Sequence, residues 1–308
     1  MTSIDRSQPS YFSKYRNIRF ERSEDGILVM SLHNDGRPLT FTAQDHESFV
    51  DAFYDVARDR GNKVVILTGA GGDFMPSIDF NSFGNVSDPD VWSKVHDEGT
   101  QILENIANIR VPMIWALEGK AHVHAEYGLL ANIIVAGEDA TFNDLPHFAG
   151  GIIPGDGVFT LWSYFVGPGR AQAMLLDPQP MSARQAKDLG VVAEMVPRGG
   201  ALARAKEMAK NLLAKPEVTR RNTRIHFVQP IKERLVREVG YGLALEGASA
   251  AALVKSFQTT GSGDYSASTW CTVAIAIEPS PTAEATRFVL PLRTSPTAST
   301  PGMLVSSR

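Results

Sequence analysis

A single cysteine, Cys271, stands among 308 residues. That excludes a disulfide framework, a cysteine-ligated metal cluster and a CxxC redox pair. No apolar run reaches the ~20 residues that a membrane-spanning helix needs. Basic charge is not in excess either: 30 Lys and Arg face 34 Asp and Glu, for a net charge of −4 and a pI near 6.0. A general nucleic-acid binder would need a basic surface, so that class and membrane partners are excluded. The opening Met1-Thr-Ser-Ile-Asp-Arg6 lacks the basic-then-apolar order of a signal peptide. What remains is a cytoplasmic globular protein with a sizeable core, as expected of 43% hydrophobic and 21% charged residues.

The pattern along the chain predicts an α/β fold. Residues 18–21 and 27–32 read as strands joined at the turn signal Ser23-Glu-Asp-Gly26. Helical spacing runs through 44–60 (Phe49, Phe53, Val56, Ala57) and 88–109 (Val91, Val95, Ile102, Leu103, Ile106). Residues 63–69, 113–117 and 132–136 are short apolar runs, read as buried strands. Beyond Ser182 helices prevail, over 183–189, 201–214, 217–235 and 236–256. The expected organisation is an extension over 1–14, an α/β core over 15–197, a helical region over 198–258 and a low-complexity tail over 259–308. That tail is rich in Ser, Thr and Pro and reads as disordered, apart from a possible strand at 272–277.

Catalytic residue types are densest between His122 and Asp156. His122, His124, Glu126, Asp144, His147 and Asp156 lie there, and three of the seven histidines fall in this stretch. Histidine titrates near neutrality, so it can take a proton from water and return it in one turnover. A neighbouring carboxylate fixes its tautomer. The turn at Pro154-Gly155 suits a pairing of His147 with Asp156. His122-x-His124-x-Glu126 has a metal-like alternation, but no second ligand pair has firm spacing, so no metal or other cofactor is expected. Gly69-Ala-Gly-Gly72 fits no phosphate-loop pattern. Arg220, Arg221 and Arg224 read as a solvated helix face.

Several ordered motifs resemble the crotonase (enoyl-CoA hydratase/isomerase) superfamily. They are Lys63-Val-Val-Ile-Leu-Thr-Gly69, Phe74-Met-Pro-Ser-Ile-Asp-Phe80, Val111-Pro-Met-Ile-Trp-Ala-Leu-Glu-Gly119, Ala140-Thr-Phe142, Gly151-Ile-Ile-Pro-Gly155 and the stretch from Ala183 to Val196. The resemblance spans about Tyr15 to Lys255. It implies a spiral of ββα repeats with a helical trimerisation region, assembled as a homotrimer or a dimer of trimers.

The departures point to a branch of that family. Its usual Gly-Gly-Gly helix start is replaced by His122-Val-His124-Ala-Glu126, and the hydratases' second glutamate by His147. The set is similar to the β-diketone hydrolases, typified by 6-oxocamphor hydrolase, which cleave a carbon–carbon bond by a metal-free retro-Claisen reaction. The resemblance implies His147 with Asp156 as the water-activating pair, His124 as donor to a carbonyl oxygen and Glu246 as a secondary partner. Ile78 matches an oxyanion position. Phe41 stands where that branch has a ligand-contacting tryptophan, and phenylalanine has no N–H to donate. Phe80, Phe83 and Trp92 are further pocket candidates. Asp156 has an alternative as a turn residue and Glu246 as a solvated helix residue. Two rival functions stay open: an acyl-CoA hydratase using Glu126 as acid/base, and a non-catalytic trimeric scaffold.

Overall fold

Strands β1 (Ile18–Arg22) and β2 (Ile27–Leu32) pair antiparallel, and Gly26 turns between them at φ 93°, a conformation that favours glycine. They open a computed structural model that describes residues 8–259, with side chains to 256. The expectations for the tail and for a strand at 272–277 therefore lie outside the described residues. After β2 the chain forms β3 (Thr40–Phe41) and helix α1 (Ala43–Arg58), which Thr42 and Asp45 start as a reciprocal capping box. Then come β4 (Val64–Gly69), β5 (Ser77–Ile78), α2 (Pro89–Ala107), β6 (Met113–Leu117), β7 (Lys120–Ala121), the short α3 (Ala125–Leu129), β8 (Ile133–Gly137) and β9 (Thr141–Phe142). A second half holds α4 (Val158–Val166), α5 (Pro168–Leu176), β10 (Met181–Ser182), α6 (Ala183–Asp188), β11 (Glu194–Val196), α7 (Ala201–Leu213) and α8 (Glu217–Thr259).

The main sheet runs β1-β2-β4-β6-β8-β11, parallel except at β1–β2. Both of its faces are covered, which is why β4, β6 and β8 are continuous apolar runs rather than alternating ones. On one side, Ala201, Ala205 and Ala209 of α7 lie against Val64, Ile66, Ile114 and Val135. On the other sits the larger core, including Phe49, Phe53, Leu67, Trp115 and Leu161. Tyr11 belongs to that core as well, so part of the expected extension is packed.

Three departures from the sequence reading have physical causes. Helices α4 and α5 have no counterpart in it: α4 is apolar nearly all round, Val158, Leu161 and Trp162 being buried, and so offers no amphipathic period. The two helices expected over 217–256 are one, α8, which passes through Pro230 without ending. Arg224 and Arg220 are not solvated. Arg224 is 2% exposed and donates to the carbonyls of Ile106, Ile109 and Leu130, which cap the end of α2 and the turn after α3. No helix among the described residues is long and apolar enough to cross a membrane.

Candidate active site

A cavity of 720 Å³ lies between the segment after β5, helix α2 and the second half of α8. Its walls are apolar: Ile78, Phe80, Phe83, Trp92, Val95, Leu243 and Val254 line it. One end is polar, formed by His124, His147, Asp156 and Glu246, with His46 nearby. Among the described residues, no lysine or arginine lines it. Trp92 is fixed by its indole N–H, which donates to the Leu243 carbonyl at 3.0 Å and ties α2 to α8.

His124 caps α3 in the left-handed conformation, φ 48° and ψ 42°. A non-glycine residue there costs about 1–2 kcal/mol, so its surroundings must hold it. They do. Its ring stacks on Tyr127 at 4.8 Å and meets the edge of Phe41 at 4.4 Å. Its Nδ1–H donates to Glu126 Oε1 at 2.6 Å, and Asp156 Oδ2 lies 3.2 Å from the same nitrogen. Burial opposes a charge on this ring, but Glu126 and Asp156 outweigh it and bring its pKa up to about 9. Glu126 is itself raised to about 7, first by burial and then by the Asp156 charge.

His147 is held by a different carboxylate from the one expected. Its Nδ1–H donates to Asp144 Oδ1 at 2.6 Å, both residues being buried. Asp156 Oδ2 is 3.5 Å from the other nitrogen, Nε2, and Glu246 Oε1 is 3.7 Å from it. Asp144, three residues before His147, is thus the group that fixes its tautomer, and Asp156 sits between the two imidazoles. Burial again disfavours the cation, but Asp144, Asp156 and Glu246 together hold His147 well above the ordinary histidine range. Burial would raise Asp156; the two imidazoles reverse this and keep its carboxyl below the usual carboxylate range. Glu246 moves the other way, to about 8, because burial outweighs the pull of His147.

Gly155 brings these groups together. A Cβ there would collide with the Gly242 carbonyl oxygen, and one on Gly242 with the Gly155 carbonyl. Backbone contact lets the loop carrying Asp156 rest on α8, where Gly155 N–H donates to Glu246 Oε2 at 3.2 Å. Gly155→Ala would push α8 and the loop apart by a fraction of an ångström or more. Since small misplacements of catalytic groups cost as much as 10²-fold, we expect kcat to fall about 10–10²-fold. Steady-state kinetics, with a thermal melt to separate loss of folding, would check this.

The other residues singled out from sequence fall as follows. Ile78, Phe80 and Phe83 are on the cavity wall, whereas Phe41 is fully buried behind His124 and does not line it. His122 faces away: it bonds Thr141 Oγ1 at 2.9 Å, and burial lowers its pKa to about 4. The set His122, His124 and Glu126 is therefore not assembled around one point. Two other triads could each offer three ligand atoms within 4.8 Å of one another: His124, Glu126 and Asp156, or His147, Asp156 and Glu246. The sequence reading missed His46 on α1, which lines the cavity and bonds Glu98 of α2 through Nδ1 at 2.8 Å. Burial lowers its pKa despite Glu98. The separation of 52 positions along the chain hides the pair.

With this fold and centre, the chain belongs to the enoyl-CoA hydratase/isomerase family, whose model matches residues 22–249. Its crotonase fold is that of a β-diketone hydrolase from the cyanobacterium Anabaena sp. PCC 7120, bound to (S)-3-oxocyclohexyl acetic acid. That structure is 45% identical, with a TM-score of 0.79 over 80% of this chain and 98% of its own. An enoyl-CoA hydratase/isomerase from Mycobacterium paratuberculosis shares the fold at 22% identity, with a TM-score of 0.71 over 77% of this chain and 94% of its own. Among curated proteins, "Probable enoyl-CoA hydratase 1, peroxisomal" of Arabidopsis thaliana is 29% identical over 74% of this chain and 83% of its own length.

Proposed function

We propose that this chain hydrolyses a carbon–carbon bond of a cyclic β-diketone by a retro-Claisen reaction. The observation that carries the reading is the buried pair of carboxylate-bound histidines, His124 and His147, at the polar end of an otherwise apolar cavity. His147, oriented by Asp144, takes a proton from water at Nε2 while the oxygen attacks one carbonyl. His124, held cationic by Glu126 and Asp156, donates to a carbonyl oxygen as negative charge grows there. The tetrahedral intermediate collapses, the carbon–carbon bond breaks and its electron pair passes to the α-carbon as an enolate of the second carbonyl. His147 returns the proton to that carbon, leaving a keto acid. One water is added and no redox change occurs.

The substrate class follows from the ligand of the Anabaena protein. A cyclic keto acid of that form is what a bridged bicyclic 1,3-diketone plus one water gives. Two features argue against an acyl-CoA substrate. Glu126 is 1% exposed, spends one oxygen on His124 and does not line the cavity. Among the described residues, the lining also offers no lysine or arginine to the phosphates of coenzyme A. A homotrimer or dimer of trimers would cover Phe227, Val236 and Tyr241, which stand 61–71% exposed on α8.

Loss of the 1,3-diketone ultraviolet absorbance over a panel of cyclic and bicyclic diketones tests the reading, with crotonyl-CoA hydration as the control. We expect cleavage of a bicyclic diketone that survives EDTA. Hydration of crotonyl-CoA with no diketone cleavage would reject it.

A further inference from the structure

We propose that the same centre binds a divalent transition ion of the zinc type through His147 Nε2, Asp156 Oδ2 and Glu246 Oε1, and that the bound ion inhibits the enzyme. The inhibition rests on the hydrolase reading above; the binding does not.

The three ligand atoms lie within 4.8 Å of one another, close enough to converge on one ion. Zinc at ~2.0–2.1 Å from its ligands in a tetrahedral array sets the ligand atoms about 3.3–3.4 Å apart. Nε2 lies 3.5 Å from Asp156 Oδ2 and 3.7 Å from Glu246 Oε1. One histidine nitrogen and two carboxylate oxygens form a donor set that zinc accepts. Asp156 Oδ2 is buried and, among the described residues, has no aligned hydrogen-bond donor; its one close cation is His124, whose Nδ1 lies 3.2 Å away and keeps its bond to Glu126 when the ion takes Oδ2. Metal-bound histidines characteristically donate their other N–H to a carboxylate, and Asp144 already accepts from Nδ1 at 2.6 Å. His147, Asp156 and Glu246 all line the cavity, so the fourth position faces an open space.

The neighbouring triad lacks this geometry. His124 Nδ1 and Glu126 Oε1 are 2.6 Å apart, the length of a hydrogen bond and too short for two atoms bound to one ion. The ion needs the Nε2 lone pair, so the proton on that nitrogen leaves to solvent when it binds. Once engaged, Nε2 cannot accept a proton from water.

The test is titration of the EDTA-stripped full chain with Zn²⁺ against a chromogenic zinc indicator. Co²⁺ serves as a spectroscopic substitute, a tetrahedral site giving strong visible absorption. We expect one ion per chain and at least a hundredfold loss of affinity in Glu246→Gln and in His147→Ala. Asp144→Asn should weaken binding about 10–100-fold, as loss of an outer carboxylate does elsewhere. The exposed control His226→Ala should bind like the wild type. Diketone cleavage should fall in step with occupancy and return with EDTA. Absence of stoichiometric binding, or affinity unchanged by Glu246→Gln, overturns the site; zinc-dependent activation overturns the inhibitory role. A chain that binds zinc as described but cleaves no diketone upholds the site and rejects the hydrolase reading instead.

Discussion

Replacing His147 by alanine is expected to lower kcat for diketone cleavage by about 10³-fold or more, since one side chain both removes and returns the proton. The same change strands Asp144: among the described residues its Oδ2 is already buried without a partner, and its Oδ1 would lose the donor it has in His147. An unpaired buried carboxylate is costly, so His147→Ala should also melt earlier. His147→Gln separates the two effects: its amide can still donate toward Asp144, while it has no titrating nitrogen to take a proton from water. It should recover much of the melting temperature and none of the activity. Substantial activity in His147→Gln would remove this residue from the proton transfer.

Asp144→Asn should reduce kcat nearly as much, by a different route. An asparagine amide can turn its NH₂ toward Nδ1, which favours the tautomer carrying the proton on Nε2, where the lone pair is needed. The equivalent exchange behind another catalytic histidine costs about 10⁴-fold. A role in tautomer and charge, as opposed to packing, has a signature in the pH profile. Because the carboxylates raise His147, its neutral form grows only as pH climbs past the ordinary histidine range. The wild-type kcat/KM, measured with EDTA present, should still be rising at neutral pH. It should fall once His124 loses its proton near about 9. Removing the Asp144 charge takes away part of what raises His147, so the acid limb of the residual activity should move to lower pH while the alkaline limb stays. An acid limb unchanged in Asp144→Asn would leave that residue a merely structural role.

The strands were legible because a parallel sheet covered on both faces needs unbroken apolar runs such as Val64–Gly69, which no other local structure explains as well. Helix α4 was not, for the converse reason: buried nearly all round, it has no polar face to mark a period. The site was half legible. Density of histidines and carboxylates drew attention to residues 122–156, and three of the residues chosen there, His124, His147 and Asp156, stand with Glu246 around one cavity end, whereas His122 faces away. Their pairing could not be read, because it depends on the path of the loop from Asn143 to Gly157. That loop turns Nδ1 of His147 toward Asp144 and leaves Nε2 facing Asp156 and Glu246. His46 and Glu98 were hidden for a simpler reason. Each sits on an amphipathic helix where its spacing matches that of ordinary core and surface positions, and only the packing of α1 on α2 joins them.

Mass spectrometry of a bridged bicyclic 1,3-diketone incubated with the enzyme in ¹⁸O-water, with EDTA present, tests the account most directly. It predicts a product heavier than the diketone by one water, with the ¹⁸O in a new carboxylate and the second carbonyl retained as a ketone. An intact diketone, alongside enzyme that hydrates crotonyl-CoA, would contradict it.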